Sequence, residues 1–170
     1  MRIKCIISYD GSLFYGWQKQ PGLRTVQQEI ETALTKITKE NISIHSSGRT
    51  DAKVHAFHQV FHFDTDFNIA QKQWIQALNH FLPEDIYIQD SEIVSNDFHS
   101  RYSAKKKEYH YLLSVNQYNP LQRNYIYQYP YGSLDLEEMR KAAQIFIGKY
   151  DFASFCVYDQ YGLTTRTIYE

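Results

Sequence analysis

Between Arg2 and Val94 the apolar residues change their period in a fixed order, and that order admits few folds. Arg2 to Tyr9 alternates, with Ile3, Cys5, Ile7 and Tyr9 on one face, the pattern of a half-buried strand. Asp10-Gly11-Ser12 breaks it. Thr25 with Gln28 three residues later is a capping box, and Val26, Ile30, Ala33, Leu34 and Ile37 follow at helical spacing. Ile42 to Ser46 reads as a short strand and Val54 to Phe63 as a longer one. Trp74, Ala77, Leu78, Phe81 and Leu82 make a second amphipathic helix that stops before Pro83, and Ile86 to Val94 is the next strand.

Strand, helix, strand, strand, helix, strand is the split βαβ order of a ferredoxin-like α+β domain, with helices on one face of an antiparallel sheet. A second round begins at Lys106. Tyr109, Tyr111, Leu113 and Val115 alternate as a strand, and Tyr125, Tyr127, Tyr129 and Tyr131 mark another extended segment. Asp135 with Glu138 caps a third helix carrying Met139, Ala142, Ala143, Phe146 and Ile147, with Gly148 placed to end it. Thr164 to Glu170 reads as a strand without its expected neighbour. The expected organisation is a ferredoxin-like domain over residues 1–100, then an incomplete, apparently truncated second α+β half over residues 101–170. Such an open edge is expected to favour self-association and to leave the chain weak or inactive alone.

The chain has 170 residues, enough for one medium domain or two small ones. Its 18 basic and 19 acidic residues leave a net charge of −1, which argues against coating nucleic acid by bulk charge but leaves room for a local basic cleft. The 15 tyrosines and 10 phenylalanines are unusual, and tyrosine both packs and stacks on bases. Cys5 and Cys156 form no C-x-x-C pair, so a reducing cytoplasm is the expected compartment.

The densest candidate for chemistry is Ser47-Gly48-Arg49-Thr50-Asp51-Ala52-Lys53-Val54-His55-Ala56, a polar run between two strand-like segments. Arg49 and Asp51 are two apart, so in an extended segment they point the same way and can pair. Pairing would keep the carboxylate ionised, as a nucleophile or base requires. The plainer reading is a polar connection with an incidental ion pair. His55, His58 and His62 imitate a metal-ligand spacing, but on a strand His58 and His62 would lie about 13 Å apart at ~3.3 Å per residue. Zinc–nitrogen bonds of about 2 Å could not bridge them, so no metal site is expected. The most basic stretch, Arg101 to Tyr111 with Lys105, Lys106 and Lys107, interleaves cations with aromatics, which suits phosphate contact and base stacking or a solvated edge strand equally. Three glycines and an aromatic cluster between Tyr9 and Gly22 match no phosphate-binding spacing, so a packed loop is expected there.

Taken in order, Tyr9-Asp10-Gly11 with Gly16-Trp17-Gln18, Thr25-Val26-Gln27, Gly48-Arg49-Thr50-Asp51-Ala52 with Val54-His55-Ala56, Asp97-Phe98-His99 with Arg101, and Arg166-Thr167-Ile168-Tyr169 resemble TruA-type tRNA pseudouridine synthases over essentially the whole chain. The resemblance implies two ferredoxin-like halves around a cleft, usually in a homodimer, that isomerise uridine to pseudouridine in the tRNA anticodon arm, typically at positions 38 to 40, without metal or cofactor. It makes Asp51 the catalytic carboxylate, Arg49 its partner and Tyr109 the ring that stacks on the target uracil. Arg101, Lys105, Lys106, Lys107, Lys53 and His55 are then expected on the RNA. Lys53 stands where the family usually has glycine, and it would be strained if that position needs positive φ. The competing reading is a non-catalytic RNA-binding module on the same core.

Overall fold

The computed structural model describes residues 1–156 and 164–170. Its first unit, Met1–Tyr109, holds β1 (Arg2–Tyr9), α1 (Val26–Thr38), β2 (His45–Ser46), β3 (Ala56–Asp64), α2 (Gln71–Phe81) and β4 (Ile86–Val94). The sheet order is β2-β3-β1-β4, and every neighbouring pair is antiparallel. That is the ferredoxin-like arrangement expected from the periodicity. β1 lies in the middle, with Cys5 opposite Phe61 on one side and Ser91 on the other.

One face of the sheet carries both helices. Ile3, Cys5 and Ile7 of β1, Phe61 and Phe63 of β3 and Ile88 of β4 form a buried cluster with Ile30 and Leu34 of α1 and Trp74 and Leu78 of α2. Each such side chain contributes about 1.5–3 kcal/mol on leaving water. Thr25 caps α1, its side chain accepting the Gln28 amide at 3.4 Å, but the expected capping box is only half formed, because Gln28 Nε2 donates to Thr32 Oγ1 at 3.3 Å. α2 ends at Phe81, with Leu82 as its cap, just ahead of Pro83.

Two strands differ from expectation. Only His45 and Ser46 of the segment from Ile42 join the ladder, because the Ile44 amide donates to Glu31 Oε1 at 3.3 Å instead. β3 starts at Ala56 and not Val54, since the Val54 amide closes a turn onto the Asp51 carbonyl at 3.2 Å.

The second unit, His110–Glu170, contains β5 (Leu113–Ser114), β6 (Tyr127–Gln128), α3 (Leu136–Gln144), β7 (Gly148–Asp151) and β8 (Thr165–Ile168). β5 and β6 pair in parallel over two residues each, far less than the two alternating tyrosine-rich runs suggested. Asp135 does cap α3, accepting from the Glu137 and Glu138 amides at 3.0 Å each. Gly148 does not terminate that helix, which ends at Gln144. At φ +128 it opens β7 instead. β8 is not left without a neighbour, for it pairs antiparallel with β7 from Gly148↔Ile168 to Asp151↔Thr165. The expectation failed because β7 is four residues long and follows its helix too closely for alternation to show.

Candidate active site

Asp51 sits on the connection between β2 and β3, and the segment following β1 clasps that connection. The Trp17 amide donates to the Thr50 carbonyl at 2.9 Å, and the Lys53 amide to the Phe14 carbonyl at 3.1 Å. The Tyr9 and Thr50 hydroxyls are 2.8 Å apart, and burial pushes the Tyr9 phenol up to about 12, so it stays neutral. His55 Nδ1 stands 3.1 Å from both the Gly11 amide nitrogen and Asp10 Oδ1. Two glycines make this approach possible. A Cβ on Gly11 would lie 2.0 Å from the Val54 carbonyl oxygen. One on Gly16, already at φ +88, would lie 2.7 Å from the Thr50 carbonyl oxygen. On the far side, Ser47 Oγ donates to Gln59 Oε1 at 2.9 Å, and Gln59 Nε2 donates to the Gly48 carbonyl at 2.6 Å.

The clasp holds the backbone and leaves the carboxylate outside. Asp51 and Arg49 are both exposed. The expected ion pair between them is not formed, and neither side chain has a hydrogen-bond or salt-bridge partner among the described residues. The reason is local. The turn from Asp51 to Val54 replaces the extended backbone on which residues two apart would face alike. Lys53 is the third residue of that turn and adopts φ +67, the left-handed conformation that glycine takes without strain. Leu13, Tyr15, Val54 and Phe57 are large apolar side chains left exposed on the segments flanking the loop.

Of the basic stretch, Lys107 reaches this loop. Its Nζ lies 2.7 Å from where a Cβ of Gly48 would stand. Arg101, Lys105 and Lys106 are exposed, and Tyr109 is 84% exposed, which leaves its ring open to stack. Arg101 follows a turn fastened from below. Arg2 grips Asp64 with two hydrogen bonds of 2.8 Å and donates to the carbonyls of Asn96 and Phe98. His62, buried on β3, accepts the Ser100 amide on Nδ1 at 3.2 Å. Burial, with the charge of Arg2 and the nearby His99 and His45 rings, draws the His62 pKa down to about 4. These three rings form a cluster with centroids 4.8–5.7 Å apart, which the series 55, 58 and 62 did not suggest. Their sequence spacing gives no signal, because the β2–β3 register and the chain beyond β4 bring them together. Among the described residues, no group of three His, Cys, Asp or Glu side chains is placed to hold a metal ion.

Residues 5–103 match the family described as tRNA pseudouridine synthase. The tRNA pseudouridine synthase A of Bacillus licheniformis is 48% identical over 159 residues, covering 92% of this chain and 64% of that protein. The synthase of the same name from Bacillus subtilis is 48% identical over 178 residues, covering 100% and 70%. The chain belongs to the TruA-type tRNA pseudouridine synthases. A third synthase, tRNA pseudouridine synthase A 1 of Bacillus cereus, is 50% identical over 157 residues, covering 91% and 63%. The chain thus spans about two thirds of the length of these curated relatives. The stretch that matches the synthase family takes in the sheet of the first unit from Cys5 of β1 onward, both its helices, the Asp51 loop and the turn ending at Ser103, and it stops short of Lys105 to Tyr109.

Proposed function

We propose that this chain carries the catalytic carboxylate of a synthase that converts uridine to pseudouridine in the anticodon arm of tRNA. The observation that carries the reading is the exposed Asp51 on a loop whose backbone is fixed on both sides, in a chain of this family. Presentation of one charged group from a rigid scaffold is what nucleophilic or general-base catalysis needs.

The reaction breaks the bond from uracil N1 to ribose C1′ and forms one from C5 to C1′. A proton leaves C5 and one is gained at N1, so nothing is oxidised or reduced and no redox cofactor is required. Asp51 either attacks C1′ or removes a proton from C2′, and in both cases uracil departs with the electrons of the glycosidic bond. The freed ring then turns and re-attaches through C5. This requires the nucleotide to leave its stack, and Tyr109 supplies an aromatic face for the extruded base. Arg101, Lys105, Lys106 and Lys107, with Lys53 and His55 beside the loop, contact the RNA backbone, which positions without reading sequence. A homodimer working on tRNA in the cytoplasm completes the proposal.

Tritium release from tRNA labelled at uridine C5 tests it. The expected weak or absent activity rested on an unpaired β8, which in fact pairs with β7, so the wild-type chain should release tritium. Asp51→Asn should abolish release while keeping tRNA affinity within a few-fold. Turnover retained in Asp51→Asn would remove Asp51 from the chemistry, and no turnover in the wild type would remove the activity from this chain.

A further inference from the structure

Gly48 invites a question the backbone does not answer. Glycine is required where φ is positive, and here those glycines are Gly16, Gly22, Gly132 and Gly148. Gly48 is not among them, so its backbone would accept a side chain. The space a side chain would fill is taken by Lys107, whose Nζ, Cε and Cδ lie 2.7, 3.5 and 4.0 Å from the Cβ position. The last three atoms of the lysine therefore run across the face of the glycine. The wall of this seat is fixed, because the Gly48 carbonyl accepts from Ser46 Oγ at 2.8 Å and Gln59 Nε2 at 2.6 Å. Among the described residues no carboxylate pairs with the Lys107 ammonium. A cation that no described carboxylate neutralises thus rests on the loop backbone three positions before Asp51. Lys105 and Lys106, in the same basic run, have no such contact with a glycine.

We infer that Gly48 is a seat for Lys107, and that the seated ammonium binds the backbone phosphate of the nucleotide being isomerised, making Lys107 a positioning residue for the glycosidic bond against Asp51. This rests on the proposed synthase activity and separates one lysine from its neighbours. A general phosphate contact adds affinity for the whole RNA. A cation fixed beside the carboxylate acts on the alignment of one bond, where small misplacement costs rate and not binding.

Two substitutions should reach the same state from opposite sides. Lys107→Met removes the charge. Gly48→Ala leaves it and fills its seat, at little structural cost because the atom met first is the end of a flexible side chain. Each should lower kcat about 10-fold or more with tRNA affinity held within about 3-fold, and the double variant should be no slower than the worse single one. Lys105→Met should act mainly on KM. A binding arm needs no turnover. With uridine 5′-monophosphate titrated in, the amide resonance of the residue at position 48 should shift in the wild type and stay unmoved in both single variants. If the wild type releases tritium while Lys107→Met or Gly48→Ala retains its kcat, the inference is wrong, whereas the synthase reading survives. If the wild type releases none, the synthase reading fails, and the amide shift alone decides the seat: a Gly48 resonance that nucleotide does not move overturns it.

Discussion

At the scale of one residue, Lys53 bears the clearest sign of strain in the site. A β-carbon in the left-handed region costs about 1–2 kcal/mol, and the surrounding bonds from Lys53 to Phe14 and from Val54 to Asp51 hold it there. Lys53→Gly should therefore raise the midpoint of thermal unfolding, by an amount matching about 1 kcal/mol once the extra freedom of glycine in the unfolded chain is subtracted. It should also raise KM for tRNA, since a cation beside the loop is lost. Calorimetry and a kinetic titration check the two halves separately, and a lower midpoint in Lys53→Gly would mean the φ angle carries no strain. The departure from the family's glycine was legible in the sequence. That the position does have positive φ was not, because turn geometry depends on bonds to Phe14, far away in the chain.

At the scale of elements, the site is two connections pressed together, one after β1 and one before β3. Periodicity marked the flanking strands and both helices because each buries one regular face. It could not mark the clasp, which consists of backbone groups and two absent β-carbons. Gly11 and Gly16 were visible as glycines in a loop, yet their partners are the carbonyls of Val54 and Thr50. Likewise the pairing of Arg49 with Asp51 followed from assuming extended backbone, and the turn at Asp51 cancels that premise. Gly11→Ala tests the clasp directly. Its methyl group would strike a backbone carbonyl, which cannot swing aside like a side chain. Overpacking of this kind costs about 1–3 kcal/mol. The variant should keep its far-ultraviolet circular dichroism but lose tritium release at least 10-fold, on the order set by displaced catalytic groups. Full activity in a folded Gly11→Ala protein would show that the loop does not depend on this contact.

At the scale of the whole chain, the two units differ in kind. Among the described residues, every buried one belongs to the first unit and none to the second. Phe146, Phe152 and Phe155 do gather with ring centroids 5.6–6.3 Å apart, but Phe146 and Phe155 remain exposed. Hydrogen exchange should therefore separate the units, with amides of Ile3, Ile7 and Phe61 exchanging orders of magnitude more slowly than those of β5 to β8. Equal protection across the chain would contradict this division. It also explains why sequence reading served the first unit better, since patterns of apolar residues foretell structure only where there is a core for them to enter. The clasp finally implies an order in time. Tyr9 is 41 residues ahead of Thr50, so the grip leaves the ribosome before the loop it will hold. At about 5–20 residues per second, a nascent chain passes several seconds with Phe14 and Trp17 uncovered and no carboxylate to present.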